Sequence, residues 1–278
     1  MKKIDTLFLA VLLSSSFNVA ANESTMNLNG PSKNGTNNQY IAAVAWKQTA
    51  AEYRALYYQG YTLAKLRVQD ALKTRKKGDK PLAIVTDLDD TVLLPLAYWS
   101  ILMKQGKDFF DDPTWDAWVP LNQMTLAPGA ADFFKFCEKN NVEVFYVTSR
   151  NQGKPTYEIA MSNIRHAKLP NADTDHLVVL SDTSNKEKPQ SKIEKTHNII
   201  AFLGDNLNDF SRKFYSSNTE ERLSLMEEEK HQFGKRYIIF PNPTDGHWLK
   251  AIFGDSEPPA SDKNRKIFLE STIKVLSK

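Results

Sequence analysis

The chain of 278 residues has one cysteine, no apolar run long enough to span a bilayer, and no concentration of charge of one sign. Each shortage excludes something. A single cysteine cannot close an internal disulfide, so the apolar core must carry the stability. That cysteine, Cys137, ends the stretch Phe133-Phe134-Lys135-Phe136-Cys137 and reads as a buried structural thiol. A cysteine phosphatase needs arginine six positions on, and that position holds Glu143. The 36 basic and 33 acidic residues are spread along the chain and leave a formal charge of +3. The longest basic run is Arg75-Lys76-Lys77, which suits a solvated face better than a nucleic-acid patch. The five histidines are scattered, with no Arg-His-Gly signature of a phosphohistidine enzyme. No G-x-x-x-x-G-K-[ST] occurs, so a P-loop nucleotide hydrolase is excluded. Asp245-Gly246-His247 mimics the opening of a dinuclear metallophosphatase motif, but it follows the glycine–aspartate element instead of preceding it, and no Gly-Asn-His comes after. It reads as a loop.

What is present is an ordinary globular composition, 41% hydrophobic and 25% charged, enough for one substantial domain with an inserted cap. Lys2 and Lys3, the apolar residues 7–13 and the small residues ending Val19-Ala20-Ala21 have the layout of a secretory signal peptide, cleaved after Ala21. The apolar stretch is too short for a permanent transmembrane helix. The absence of cysteine there excludes a lipid anchor, so the expected mature protein is soluble, in the periplasm or the medium. Residues 22–38 read as a flexible linker and residues 39–278 as a single domain.

Within 39–77 apolar residues recur at helical spacing, and Gly78-Asp79-Lys80-Pro81 ends the pattern. Short apolar runs then appear at 82–85, 142–147, 177–180, 199–203 and 237–240, each of strand length and rich in β-branched or aromatic residues. Helical stretches separate them at 129–139, 156–167, 186–196 and 207–231, and a polar, proline-rich loop at 255–265 leads to a helix at 266–276. Alternating strand and helix predicts a Rossmann-like α/β fold, a parallel sheet with helices on both faces. The 92–127 segment is too long for a simple connection and is expected to be a small, mostly helical cap containing Trp99, Trp115 and Trp118.

The chemistry-bearing residues fall at the carboxyl ends of those strands, where open parallel sheets bind ligands. The first strand runs into Asp87-Leu88-Asp89-Asp90-Thr91, whose spacing of two turns Asp87 and Asp89 to one side of an extended backbone. The second ends in Thr148-Ser149-Arg150, Lys186 follows the third, and the fourth ends in Gly204-Asp205-Asn206-Leu207-Asn208-Asp209. Phosphoryl transfer needs a nucleophile, a proton for the leaving oxygen and positive charge around the phosphoryl oxygens. Asp87 suits the nucleophile and Asp89 the general acid. Mg²⁺ takes hard oxygen ligands and keeps several waters. Asp87, Asp205 and the backbone carbonyl of Asp89 would hold it, with Asp209 acting through water or a supporting hydrogen bond. Thr148 and the next backbone N–H, that of Ser149, would bind a phosphoryl oxygen and Lys186 would neutralise it; Arg150 either does likewise or forms a structural ion pair.

This ordered set resembles the four motifs of the haloacid dehalogenase (HAD) superfamily. Thr91-Val92-Leu93 with Tyr98, and Gly204-Asp205-Asn206-Leu207-x-Asp209-Phe210, are similar to the bacterial class C acid phosphatases, a family of DDDD phosphohydrolases. The resemblance covers most of the mature chain and implies an exported, Mg²⁺-dependent phosphatase acting on small phosphomonoesters such as nucleoside monophosphates; a homodimer is compatible with it. The chain departs from the pattern at Asp90, where glutamate is usual, at Leu94-Pro95, where a polar pair is usual, and at Asp245, where an aromatic substrate contact is expected. The last two put nucleotide preference in question and leave the catalytic set intact. A dehalogenase would have no use for an acid at Asp89, and an exported phosphomutase would be unexpected. The non-enzyme alternative is an exported binding protein that kept the fold and lost catalysis, which turnover of a chromogenic aryl phosphate, with and without chelator, discriminates.

Overall fold

The computed structural model describes residues 38–273. The signal peptide expected at 1–21, and all but the last residue of the linker at 22–38, lie outside the described residues. Five parallel strands, β1 (Leu82–Thr86), β4 (Val142–Ser149), β5 (Leu177–Leu180), β6 (Asn198–Gly204) and β7 (Tyr237–Ile239), form one sheet in the order β5-β4-β1-β6-β7. β1 is the central strand, in register with β4 through Leu82–Val142 to Thr86–Tyr146, and it pairs with β6 from Leu82–Asn198 to Thr86–Leu203 with a one-residue shift between Ala83 and Ile84. Its side chains alternate between the faces, as the pleat requires. Leu82 and Ile84 join one apolar cluster, Ala83 and Val85 the other. The first cluster is closed by α2 (Ala51–Thr74), α5 (Ala130–Lys139) and α6 (Thr156–His166), the second by α7 (Glu187–Thr196) and by the chain around Phe210 and Phe214. Helices therefore cover both faces, as the strand–helix alternation predicts. Cys137 is fully buried in the first cluster.

Between β1 and α5 lies the expected insertion. A two-strand hairpin, β2 (Leu93–Leu94) with β3 (Thr125–Leu126), brackets α3 (Leu96–Gln105) and α4 (Asp112–Trp118). Asp111 caps α4 by accepting the Thr114 N–H, and Gly106 ends α3 in the left-handed conformation. This insertion shares a third aromatic cluster (Tyr40, Tyr98, Trp99, Phe109, Trp115 and Trp118) with α1 (Ile41–Thr49); Phe268 of α10 (Asp262–Ile273) packs against it.

The 39–77 helical stretch is built as two helices, α1 and α2, with Ala50 extended between them (φ −75°, ψ 125°). Two expectations need correction. The 207–231 stretch is not one helix. Asn206, Ser211 and Asn218 each accept a backbone N–H and restart the chain, giving 3-10 turns at Leu207–Asp209 and Arg212–Phe214 before α8 (Thr219–Glu228). The tail forms α9 (His247–Phe253), and its final helix starts at Asp262 instead of 266.

Candidate active site

The carboxyl ends of the strands open into a cavity of about 640 Å³. Asp87, Asp89, Thr148, Ser149, Arg150, Lys186, Asp205 and Asp209 all line it, so every residue selected from sequence reaches one space. At its floor a carboxylate oxygen from each of Asp87, Asp205 and Asp209 lies within 4.8 Å of the others. The Asp87 N–H donates to the Leu203 carbonyl, which extends the β1–β6 ladder and pins the first carboxylate beside the second. Asp209 is held from both sides. Its Oδ1 pairs with Lys186 at 2.7 Å, and its Oδ2 accepts the Asn206 N–H at 2.9 Å. Lys186 also pairs with Asp87, so one buried ammonium serves two carboxylates. A Cβ on Gly204 would sit 2.4 Å from the Asp209 side chain, so that glycine is required by the close approach.

Burial, opposed by Lys186 and reinforced by Asp209 and Asp89, pushes the Asp87 carboxyl up to about 7. Burial and the repulsion of Asp209, Asp87 and Asp90 push Asp205 well above the usual carboxylate range. For Lys186, burial alone would lower the pKa, but Asp209 and Asp87 outweigh it and raise it. Three clustered carboxylates and one ammonium leave two negative charges without a counter-charge, in a setting where isolated charge is costly. That donor set, all oxygen and doubly negative, fits a hard divalent cation.

The two acids of the first motif lie in different surroundings. Asp87 is buried, whereas the Asp89 side chain is 24% exposed and gripped by Arg150, whose Nε and Nη2 donate to its two oxygens at 2.7 and 2.6 Å. Arg150 is held in turn by Asn163 at 2.6 Å and lies 5.8 Å from the Trp115 ring centre. The structure therefore places Arg150 in an ion pair. Thr148 is buried at the cavity wall, and Ser149 is exposed beside it.

Several participants were given no role from sequence. Thr91, quoted only as part of a motif, donates to Asp205 at 3.1 Å, and Asn242, on the loop between β7 and α9, donates to the same carboxylate at 2.8 Å. Lys47, on α1, is buried and donates to Asp90 at 2.7 Å and to Thr244 at 2.8 Å. Nothing local marks Lys47, since it sits 43 residues before its partner. Of the tryptophans, Trp99 and Trp115 line the cavity with Phe110. Trp118 instead donates to Gln123, and Trp248 packs on Phe268.

A parallel α/β sheet with a buried carboxylate–lysine cluster at its carboxyl edge defines a phosphoryl-transfer enzyme of the HAD type. The family whose model matches residues 5–248 is described as HAD superfamily, subfamily IIIB (acid phosphatase). Two solved structures of the class C acid phosphatase from Bacillus anthracis, one with tungstate bound, are 32% identical to this chain, with a TM-score of 0.78. Each match covers 87% of this chain and all of the other. The chain belongs to this family of acid phosphatases and is a phosphoric monoester hydrolase. Among the described residues no helix is long and apolar enough to cross a membrane.

Proposed function

We propose that the chain is an exported, Mg²⁺-dependent acid phosphatase that hydrolyses small phosphate monoesters, aryl phosphates and nucleoside monophosphates (a 5′-nucleotidase activity) among them, through a phosphorylated Asp87. The observation that carries this reading is the Asp87–Asp205–Asp209 cluster sharing the single ammonium of Lys186. Asp87, Asp205 and the Asp89 backbone carbonyl would hold Mg²⁺, with Asp209 supporting them. The ion supplies positive charge that screens the attacking carboxylate from the phosphoryl oxygens.

A carboxylate oxygen of Asp87 attacks phosphorus, the P–O ester bond breaks, and the leaving oxygen takes a proton from Asp89. Asp89 then removes a proton from a water that attacks the acyl phosphate, which regenerates Asp87 and releases phosphate. Both Asp89 oxygens accept from Arg150, so one of those hydrogen bonds must yield for that oxygen to carry the proton it passes to the leaving oxygen. Thr148 and the Ser149 N–H hold a phosphoryl oxygen at the end of β4, and Lys186 neutralises its charge. The Bacillus anthracis relative was solved with tungstate bound, a tetrahedral oxyanion like phosphate, which supports a phosphate-type ligand for this fold. Trp99, Phe110 and Trp115 on the insertion, read as a substrate-facing cap, offer apolar surface to an aromatic leaving group. Lys2, Lys3, the apolar residues 7–13 and Val19-Ala20-Ala21 support export.

The test is kcat/KM for two variants against esters of graded leaving-group pKa. Asp87→Asn should fall to background on every ester. Asp89→Asn should lose roughly 10²–10⁴-fold on alkyl esters and much less on a nitrophenyl ester, whose leaving group departs as an anion. A uniform loss for Asp89→Asn, or turnover by Asp87→Asn, contradicts these roles.

A further inference from the structure

The guanidinium of Arg150 is anchored from two directions. Its Nε and Nη2 grip the two Asp89 oxygens, and its Nη1 donates to Asn163 Oδ1 at 2.6 Å. Among the described residues, Asn163 supplies the only oxygen besides those of Asp89 to which that guanidinium is bonded. Asn163 sits on α6 and is buried, and it does not line the cavity. Its amide nitrogen donates to the Val119 carbonyl at 3.0 Å and to Asn122 Oδ1 at 2.8 Å. A guanidinium only donates and a backbone carbonyl only accepts, so a single orientation of the amide satisfies both sides. Val119 and Asn122 belong to the insertion, at the start and just past the end of the 3-10 turn Val119–Leu121 that follows α4. The Asn163 amide therefore bonds Arg150 with its oxygen and the insertion with its nitrogen.

That third anchor matters when Asp89 works. One Asp89 oxygen must leave Arg150 to carry the proton, and the bond that remains then sets where the freed oxygen points. A guanidinium with no partner except Asp89 would follow the carboxylate as it moved. Held by Asn163 it stays in place, and Asp89 pivots about a fixed planar fork. Proton transfer needs hydrogen-bond reach, about 2.6–3.2 Å between heavy atoms. Misplacing a reacting group by about 1 Å can cost roughly 10²-fold in rate. The insertion also flanks the fork directly, with Met124 Sδ 4.0 Å from Nη2 and the Trp115 ring centre 5.8 Å from the guanidinium carbon.

We propose that Asn163 is a positioning residue for the general acid, which couples the seating of the insertion to the aim of Asp89 through Arg150. The proposal rests on the phosphatase reading above for the role of Asp89. It makes turnover of esters with poor leaving groups depend on bonds from Val119 and Asn122, neither of which lines the cavity. Esters whose leaving group departs as an anion need no proton, so they escape that dependence.

The experiment measures kcat and KM, with Mg²⁺ present, for an alkyl phosphate and a nitrophenyl phosphate. The proteins compared are the natural chain, Asp89→Asn, Asn163→Leu, the double variant of those two, and Asn122→Gly. Asn163→Leu keeps most of the side-chain volume and removes all three bonds. On the alkyl ester its kcat should fall roughly 10- to 100-fold with KM little changed. On the nitrophenyl ester the fall should be less than about threefold, which also reports that the variant is folded. In the Asp89→Asn background the same substitution should cost the alkyl ester nothing further, because no acid is left to aim. Asn122→Gly reads the link to the insertion even where Asn163→Leu does not fold. Asn122 holds a left-handed backbone (φ 55°) that glycine adopts without strain, so only the side chain is lost. Its alkyl-to-nitrophenyl rate ratio should drop roughly 2- to 10-fold, the worth of one hydrogen bond. Equal losses on both esters, an additive loss in the double variant, or an unchanged ratio in Asn122→Gly overturns the positioning role and leaves the phosphatase site standing. If Asp89→Asn itself slows both esters alike, Asp89 is not the general acid and the positioning role falls with it.

Discussion

Lys47 allows a test of how the first helix supports the catalytic loop. Its side chain is 1% exposed, and its ammonium donates to Asp90 at 2.7 Å, to Thr244 at 2.8 Å and to Asn242 at 3.4 Å, with the Trp99 ring 5.5 Å away. Asp90 is buried too, and it occupies a left-handed backbone position (φ 53°) in the turn that carries Asp89. Lys47→Met keeps most of the volume and removes the charge, so Asp90 is left as a buried carboxylate without its cation. Breaking a buried pair from one side costs about 3–5 kcal/mol. In a domain of this size each kcal/mol moves Tm by about 2–4 °C, so the expected loss is roughly 6–20 °C.

The sign of the pH dependence follows from Asp90. Burial raises its pKa and Lys47 lowers it, so losing Lys47 raises it further. A carboxyl whose folded pKa lies above its unfolded value binds more protons in the folded state. Its contribution is fully present below the unfolded pKa and is lost as pH rises through the folded one. The deficit of Lys47→Met relative to the natural protein should therefore shrink as pH falls through the Asp90 titration. Lys47→Met/Asp90→Asn should recover most of the loss at neutral pH, because the stranded charge is gone. Urea unfolding in chelator, across pH, measures all three variants. A loss below about 1 kcal/mol, or a deficit that neither acid nor Asp90→Asn reduces, would refute the account of this pair.

Three further outcomes are expected. With chelator present, stability should fall as pH rises from about 4 to about 7, because burial lifts Asp87 from 3.8 to about 7 and its ionisation then opposes folding; Mg²⁺ should flatten that slope, and a Tm at pH 8 indifferent to Mg²⁺ would count against the ion site. Gly204→Ala places a Cβ 2.4 Å from the Asp209 side chain, so calorimetric Mg²⁺ affinity should drop at least about tenfold, and unchanged affinity would show that Asp209 can move freely. Gly60→Ala drives a Cβ to 2.4 Å from the Phe240 ring, which should cost about 1–3 kcal/mol of stability by denaturant titration with kcat/KM little altered.

How much of this was legible in the sequence divides along a physical line. The strands announced themselves because each is a short apolar run set between polar helices, and 177–180 matches β5 residue for residue. The rim residues followed from topology alone, since a parallel sheet brings all its carboxyl ends to one edge. Pairings across that rim were not readable. Nothing in Thr148-Ser149-Arg150 says whether the guanidinium faces a phosphate or a carboxylate, because the choice depends on Asn163 of α6 and Asp89 of the β1 loop meeting it in space. Lys47 lay hidden for the same reason: a lysine on an amphipathic helix reads as solvated until a distant loop buries it. The breaks at Ser211 and Asn218 could have been found, as each is a capping residue placed just before a helical turn.

The arrangement of cations explains how neighbouring acids on one turn come to differ. Asp87, Asp89 and Asp90 lie within four residues, and each meets a separate cation delivered by a different part of the chain. Asp87 meets Lys186 from the start of α7, Asp89 meets Arg150 from the end of β4, and Asp90 meets Lys47 from α1. Lys186 is shared with Asp209, so its charge is divided and Asp87 keeps an affinity for further positive charge. Arg150 spends its Nε and Nη2 donors on Asp89 at the mouth of the cavity, in contact with Met124 and close to Trp115 of the insertion. Lys47 is enclosed, and its partner Asp90 faces the helical layer, where Tyr57 donates to the Asp90 carbonyl. One acid is thus left short of positive charge, one is held in a planar fork at the opening, and one anchors the turn to α1 and α2. Because the three cations come from elements far apart in sequence, this division of roles depends on the tertiary fold and not on the motif by itself.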